Sequence, residues 1–577
     1  MKTARKLGST LRLIGHLVLT LGPRVAAPAL IGATALPLAA CADENDPQTW
    51  VKRLDDPAQK AGAIKRLTQF FEDAMTKANK NREDPNVKKL LDQIADPLTK
   101  TYTAGNLDDK TRKELIKILA DTRDPRTSPA LAKALNEYEP GKNEEDVKAV
   151  IISVKANALE GKKVDQAVVD GLWNVFGKWR ASAQTAAFLA RDLQDAIMAV
   201  KDPSYAPKAL EKLGAPIDPK KPAEAQDQQI WQLISIQLIG HLKHTAAVKP
   251  LVVALLQPEK AGLRAAVNAA LMRMPKESEP VVIAALNGSD ADLKKLADAV
   301  PDKAAPAVIC DTLAWISRPP GRDACLNALN AATDDGIRTA IATNMYRFPA
   351  DPRVLDGFRN AYGKTAASAT AALLGGVNAR GQLARVAGNF YDVSLTDWLV
   401  KEIAGAKGDK DTADALQLPA LESAIKLMGP SQVASVGDAV NKEGTDREKN
   451  MYKLAKAVVD KCKEDAGCYV KLLDEPIQSN TGTANMGAVK AAWMAAVYGK
   501  SDAGIRGELV KRIRKVTDEG ARLAIVQAIY RMAPQGDDAA ADEMEKVVKA
   551  DEEGGNKNAA NGSMSTVALS LRSRAVQ

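Results

Sequence analysis

Apolar residues along this chain recur three and four positions apart, in runs of helix length separated by short turns rich in Asp, Pro and Gly. One helical turn holds 3.6 residues, so this spacing gathers them onto one face and predicts a succession of amphipathic helices. Three stretches share a finer pattern: KAGLRAAVNAALMRMP from Lys260, DDGIRTAIATNMYRFP from Asp334, and DEGARLAIVQAIYRMAP from Asp518. Each has Gly, an apolar or small residue, Arg, a helical apolar stripe, a second Arg and a closing Pro. In the first copy Val267, Ala270, Leu271 and Met274 share a face and Arg264 stands at its edge.

The first arginines are Arg264, Arg338 and Arg522, separated by 74 and 184 residues, and Arg112 in DDKTRKELIKILADTRDP lies 152 residues before Arg264. Those intervals are multiples of about 37, the period of a two-helix repeat. A second signature follows each first helix, as in ADTRDPRTSPALAKAL from Ala120 and AVKDPSYAPKALEKL from Ala199. There Asp caps a new helix and Pro occupies its first turn, where a missing N–H costs nothing. The expected unit is helix, short turn, helix. At an edge position, Arg112, Arg264, Arg338 and Arg522 reach the polar turn of a neighbouring unit. A row of arginines holding an anionic partner is the functional alternative. The second Arg, Arg273 in this copy, falls in the last turn, where a cation suits the negative end of the helix dipole.

The pattern of apolar residue, Arg, small residue, Leu and then Asp-Pro resembles HEAT repeats, closest to the short bacterial variety first noticed in bilin lyases. The resemblance covers most of residues 50–550. It implies an all-α fold, an αα-superhelix of roughly thirteen helical hairpins in which each unit leans only on its neighbours. Breaks in the pattern divide the array into residues 50–213, 228–403 and 414–550, with a partly mobile tail over 551–577. The small-residue stretch from Thr365 is the least repeat-like; a tight helix pair and an irregular interruption both fit it.

Composition favours helix, with 46% hydrophobic and only 4% aromatic residues. The net charge of +8 shrinks on inspection, because residues 1–40 hold Lys2, Arg5, Lys6, Arg12 and Arg24 and no acid. Removing them leaves 75 basic against 72 acidic residues, or +3, which argues against a nucleic-acid partner. A basic start, an apolar run and small residues describe a secretory leader over residues 1–40. Its end, Leu38-Ala39-Ala40-Cys41, resembles the lipobox of bacterial lipoproteins, which implies cleavage before Cys41, acylation of its thiol and amino terminus, and a polar tether over 41–49. Ala42 rather than Asp after the cysteine implies, by the same resemblance, the outer membrane of the cell envelope.

An exported chain with four further cysteines suggests disulfides, and proximity favours Cys310 with Cys325 and Cys462 with Cys468. No CxxC occurs, and the mature histidines are only His241 and His244, so neither a metal site nor a cofactor is expected. With no nucleophile–base pair and no glycine-rich phosphate loop, the chain reads as a membrane-anchored module that binds a protein partner. The alternative is an enzyme or accessory factor of the bilin-lyase type.

Overall fold

The computed structural model describes residues 43–181, 186–406, 410–475 and 485–576. The leader and Cys41 lie outside the described residues. Within them are twenty-nine α-helices, short 3-10 turns and one pair of two-residue antiparallel strands. No helix among them is long and apolar enough to cross a membrane.

The helices begin where the sequence supplies caps. Asp46, Asp84, Asp108, Asp165, Asp290, Asp334, Asp351, Asp502, Asp518 and Asp537 each accept a backbone N–H of the first turn through the side chain. Pro47, Pro85, Pro222, Pro275, Pro319 and Pro352 are first helical residues. Each is a position at which the ring fits and no hydrogen bond is forfeited.

Helices pack on their sequence neighbour and on the next but one. Lys60–Lys77, Asp109–Thr122, Glu144–Leu159, Ala186–Val200, Pro222–Leu242 and Arg264–Met272 follow one another in one layer. Pro85–Ala104, Ser128–Asn136 and Gln166–Lys178 follow one another in the second. Beyond the extra helix Ala291–Asp298 the alternation resumes and runs to the last helix, Ala560–Ala575. The apolar core continues from Leu54 through the proline-rich stretch 214–221 and past residue 404 without a break.

Two expectations need correction. Units far apart in the chain do touch: Ala560–Ala575 packs on Arg264–Met272 and on Ala305–Ile316. The array therefore turns back and its last helix closes it. Residues 551–576 are not a loose tail either, since helix Asp538–Glu553 runs into them and Ala560–Ala575 follows after a short exposed turn. Met564, Val567, Ala568 and Leu571 recur at helical spacing and are buried. The VALSLR segment, for which a docked helix also fits the sequence, lies in that helix.

The stretch from Thr365 is an interruption. Thr370–Ala371 pairs with Val377–Asn378 as a small hairpin, and helix Ala379–Ala387 follows. Its tip carries no charge and exposes Leu373 and Val377.

Candidate functional site

Three of the four signature arginines are placed alike, and Arg264 instead opens its helix without a capping Asp. Arg112, Arg338 and Arg522 are each the fourth residue of their helix, one turn after the capping Asp108, Asp334 or Asp518. The Arg522 guanidinium donates to the Val516 carbonyl before its own helix and to Asp551 at 2.7 Å, near the end of the next one. Arg338 does the same with the carbonyls of Ala332 and Thr333 on one side and Lys364 on the other. Arg112 pairs with the buried Asp146 of the following layer helix. Arg264 donates to the Leu255 carbonyl, and burial lowers its pKa from the ordinary value.

Arg338 and Arg522 tie the start of their helix to the end of the next, Arg112 reaches the start of a later helix, and Arg264 reaches the end of the preceding one. Arg338 and Arg522 are 6% and 2% exposed, which leaves them no surface for a partner. A fifth member escaped the sequence reading. Arg506 sits in DAGIR from Asp502, nearly the DDGIR of Asp334 to Arg338, and donates to the Met532 carbonyl and to Asp537 at 2.6 Å. The shared Asp four residues before Arg was the usable signal.

The second arginines do something spacing alone does not show. Arg347 and Arg531 meet Arg574 where the array closes. Arg347 pairs with Asp311 at 2.6 Å and lies 4.0 Å over the Trp315 ring. Its carbonyl accepts from Ser317, Tyr530 and Arg574. Arg531 donates to the Phe348 carbonyl; burial, then the nearby Arg574 charge, lowers its pKa to about 10.

Arg574 is buried and donates to the carbonyls of Tyr530, Ala533 and Arg347 and to the Ser317 hydroxyl. It has no carboxylate partner among these contacts. Instead it caps the carbonyls at the carboxyl end of helix Glu519–Met532, where the helix dipole is negative, together with the carbonyl of the Arg347 turn. Ser570 and Ser573, on the same helix, donate to the carbonyls of Trp315 and Ile316. Lys490 repeats the device alone: fully buried, it caps the carbonyls of Ile425, Lys426 and Met428, and burial holds its pKa well below the usual value.

Cys310 pairs with Cys325 and Cys462 with Cys468, at Cα separations of 5.6 and 5.4 Å. The first bridge is buried and staples helix Ala305–Ile316 to Pro319–Ala331 across the turn at Ser317 and Arg318. Chain-entropy arguments give about 3 kcal/mol for the 15-residue loop and about 2 kcal/mol for the 6-residue loop. Replacing Cys310 and Cys325 by serine is therefore expected to lower the urea midpoint more than replacing Cys462 and Cys468. Reducing agent should have no further effect on the fourfold variant.

Burial, then the cations Arg273 and Lys201, lower the His241 pKa from 6.5 to about 4. The folded chain keeps this imidazole neutral, while the unfolded chain protonates it below 6.5. The stability it contributes is thus complete above pH 6.5 and is lost as pH falls toward 4. Melting temperature is expected to drop between about pH 7 and pH 5, and the drop to be shallower in His241→Gln. Among the described residues no group of three or more His, Cys, Asp or Glu could hold a metal ion.

The two halves of the array differ in what their inner layer meets. From Arg264 onward helices pack on partners far along the chain: Ala560–Ala575 meets Arg264–Met272, Tyr391 lies edge-on to Trp493 at 4.3 Å, and Tyr530 reaches Arg347. On Glu144–Leu159, Ile152 and Leu159 are seven residues apart on one face, 46% and 70% exposed, and Leu159 is the most exposed large apolar residue described. Lys148 and Lys155 flank them, paired to Asp192 and Asp195 of the next layer helix at 3.5 and 2.7 Å. Beside Leu159 opens a cleft of about 720 Å³ lined by Ser128, Lys162, Lys163, Gln166, Val169 and Val200. No family model matches the chain, and no curated protein matches it.

Proposed function

We propose that this chain is a lipid-anchored scaffold of the bacterial cell envelope, a HEAT-like αα-superhelix that binds a protein partner and performs no catalysis. The observation that carries the reading is the unequal inner layer. From Arg264 on the layer helices meet partners far along the chain, while helix Glu144–Leu159 leaves Ile152 and Leu159 exposed in a frame of ordered ion pairs. Apolar side chains held open inside a polar rim are the usual anatomy of a protein-binding patch. Two formed disulfides suit an oxidising compartment, in keeping with export and with Cys41 as the acylated residue.

The test is made in intact cells grown with a clickable fatty acid, with a photo-crosslinking residue at Leu159 or, as control, at the outward-facing Glu211. Wild type takes the label and Cys41→Ala does not. One discrete adduct forms from position 159 and none from 211. Unlabelled wild type contradicts the anchor, and indistinguishable adducts from both positions contradict the binding face.

A further inference from the structure

The residues expected to tether the chain are folded onto its first helix. The Trp50 indole donates to the Glu44 carbonyl at 2.9 Å, and Arg53 pairs with the Glu44 carboxylate at 2.7 Å. Asp46 caps helix Pro47–Lys52, and the backbone N–H of Asp46 donates to the Asp43 carbonyl. Glu44 is thereby part of the folded body, and it stands three residues after Cys41. At roughly 3.5 Å per residue that distance cannot exceed about 10 Å. A bilayer's headgroup layer is itself on the order of 5–8 Å deep. A body fixed so close to acyl chains has no room to stand off from the surface.

The end nearest Cys41 also has the side chains an interface favours. Helix Lys60–Lys77 begins its layer, with Asp109–Thr122 as its next layer neighbour. Gly62, Lys65 and Gln69 are exposed along it, and Phe70 is half-buried beside them. Arg53 lies 4.2 Å over the Trp50 ring and Arg66 lies 4.6 Å over the Phe70 ring. Half-buried aromatic rings each carrying an arginine suit the headgroup region, where an apolar body meets carbonyls and phosphates. Acids stand beside the pairs as well: Glu44 holds Arg53, and the exposed Asp73 lies one helical turn from Phe70, so the seating rests on the aromatic rings and the short reach to Cys41 and not on net charge.

We propose that this end face, helices Pro47–Lys52 and Lys60–Lys77, seats directly on the headgroup surface of the membrane that holds the acyl chains, with Trp50 and Phe70 at the interface. The proposal rests on the reading of Cys41 as the lipidated residue. It makes the rest of the array project from the membrane, with the face around Leu159 two layer helices further along.

The full lipidated protein, purified from membranes, is reconstituted in vesicles of phosphatidylethanolamine and phosphatidylglycerol containing a phospholipid with a photoactivatable headgroup. Intact mass and co-sedimentation establish acylation and anchoring before irradiation, and adducts are then mapped by peptide. Adducts are expected on peptides from Trp50 to Phe70 at several-fold higher yield than anywhere else, including the exposed Leu373 and Val377 tip. Phe70→Ser, checked for unchanged melting, is expected to lower that yield. An acylated, anchored chain whose adducts fall evenly, or chiefly on the Leu373 tip, overturns the seating and leaves the anchor standing. A chain without acyl mass overturns both.

Discussion

Replacing the buried Arg574 with alanine is expected to destabilise the protein by about 3–5 kcal/mol. The guanidinium donates to carbonyls at Tyr530, Ala533 and Arg347 and to Ser317. Removing it leaves those acceptors facing a void. Arg347 retains Ser317 and Tyr530 as donors, but the carbonyls of Tyr530 and Ala533 lose a donor at the end of their helix. Arg574→Lys should recover only part of the loss, because one ammonium cannot span acceptors that a planar fork reaches together. Urea unfolding checks both variants. In native-state hydrogen exchange, Arg574→Ala should lose protection over 560–575 and over 305–348 together, since Arg574 bonds both to Ser317 and to the Arg347 carbonyl.

Arg522→Ala follows at about 3–5 kcal/mol. It breaks a buried ion pair with Asp551 and strips the Val516 carbonyl of its donor. A double-mutant cycle with Asp551→Ala is expected to return a coupling energy above about 1 kcal/mol, as for residues that share one buried network. Arg506→Ala, whose partner Asp537 is more accessible, should cost less. Were the signature arginines instead a row for an anionic partner, Arg522→Ala would leave thermal unfolding unchanged and weaken binding alone.

The local architecture was legible because it is written in local signals. Asp caps, first-turn prolines and the i, i+3, i+4 apolar stripe each act within a few residues, so helices and their two-helix units could be read directly. The role of Arg522 was readable for the same reason: its partners lie within one unit on either side. Both nearest-neighbour cysteine pairs have small loops, and chain proximity pointed to them.

Closure was not legible. Ser573 meets Ile316 across 257 residues, and Tyr530 meets Arg347 across 183. Nothing periodic in a sequence marks which turn of a repeat will face another far along the chain. The interface is built partly from Ser570, Ser573 and Arg574, whose polar composition reads as a solvated tail. The Thr365 hairpin was undecidable for the opposite reason: alanine, glycine and threonine there satisfy helix and turn equally well. The exposure of Leu159 depends on which inner faces find a covering, so it too followed only from the three-dimensional arrangement.

Small-angle scattering on residues 43–577, beside the same chain ended before Ala559, tests whether the last helix holds the array closed. If closure depends on it, the shortened chain, despite its smaller mass, shows a larger radius of gyration and a longer maximum dimension. A shortened chain that scatters as the same compact particle, merely lighter by one helix, would contradict it.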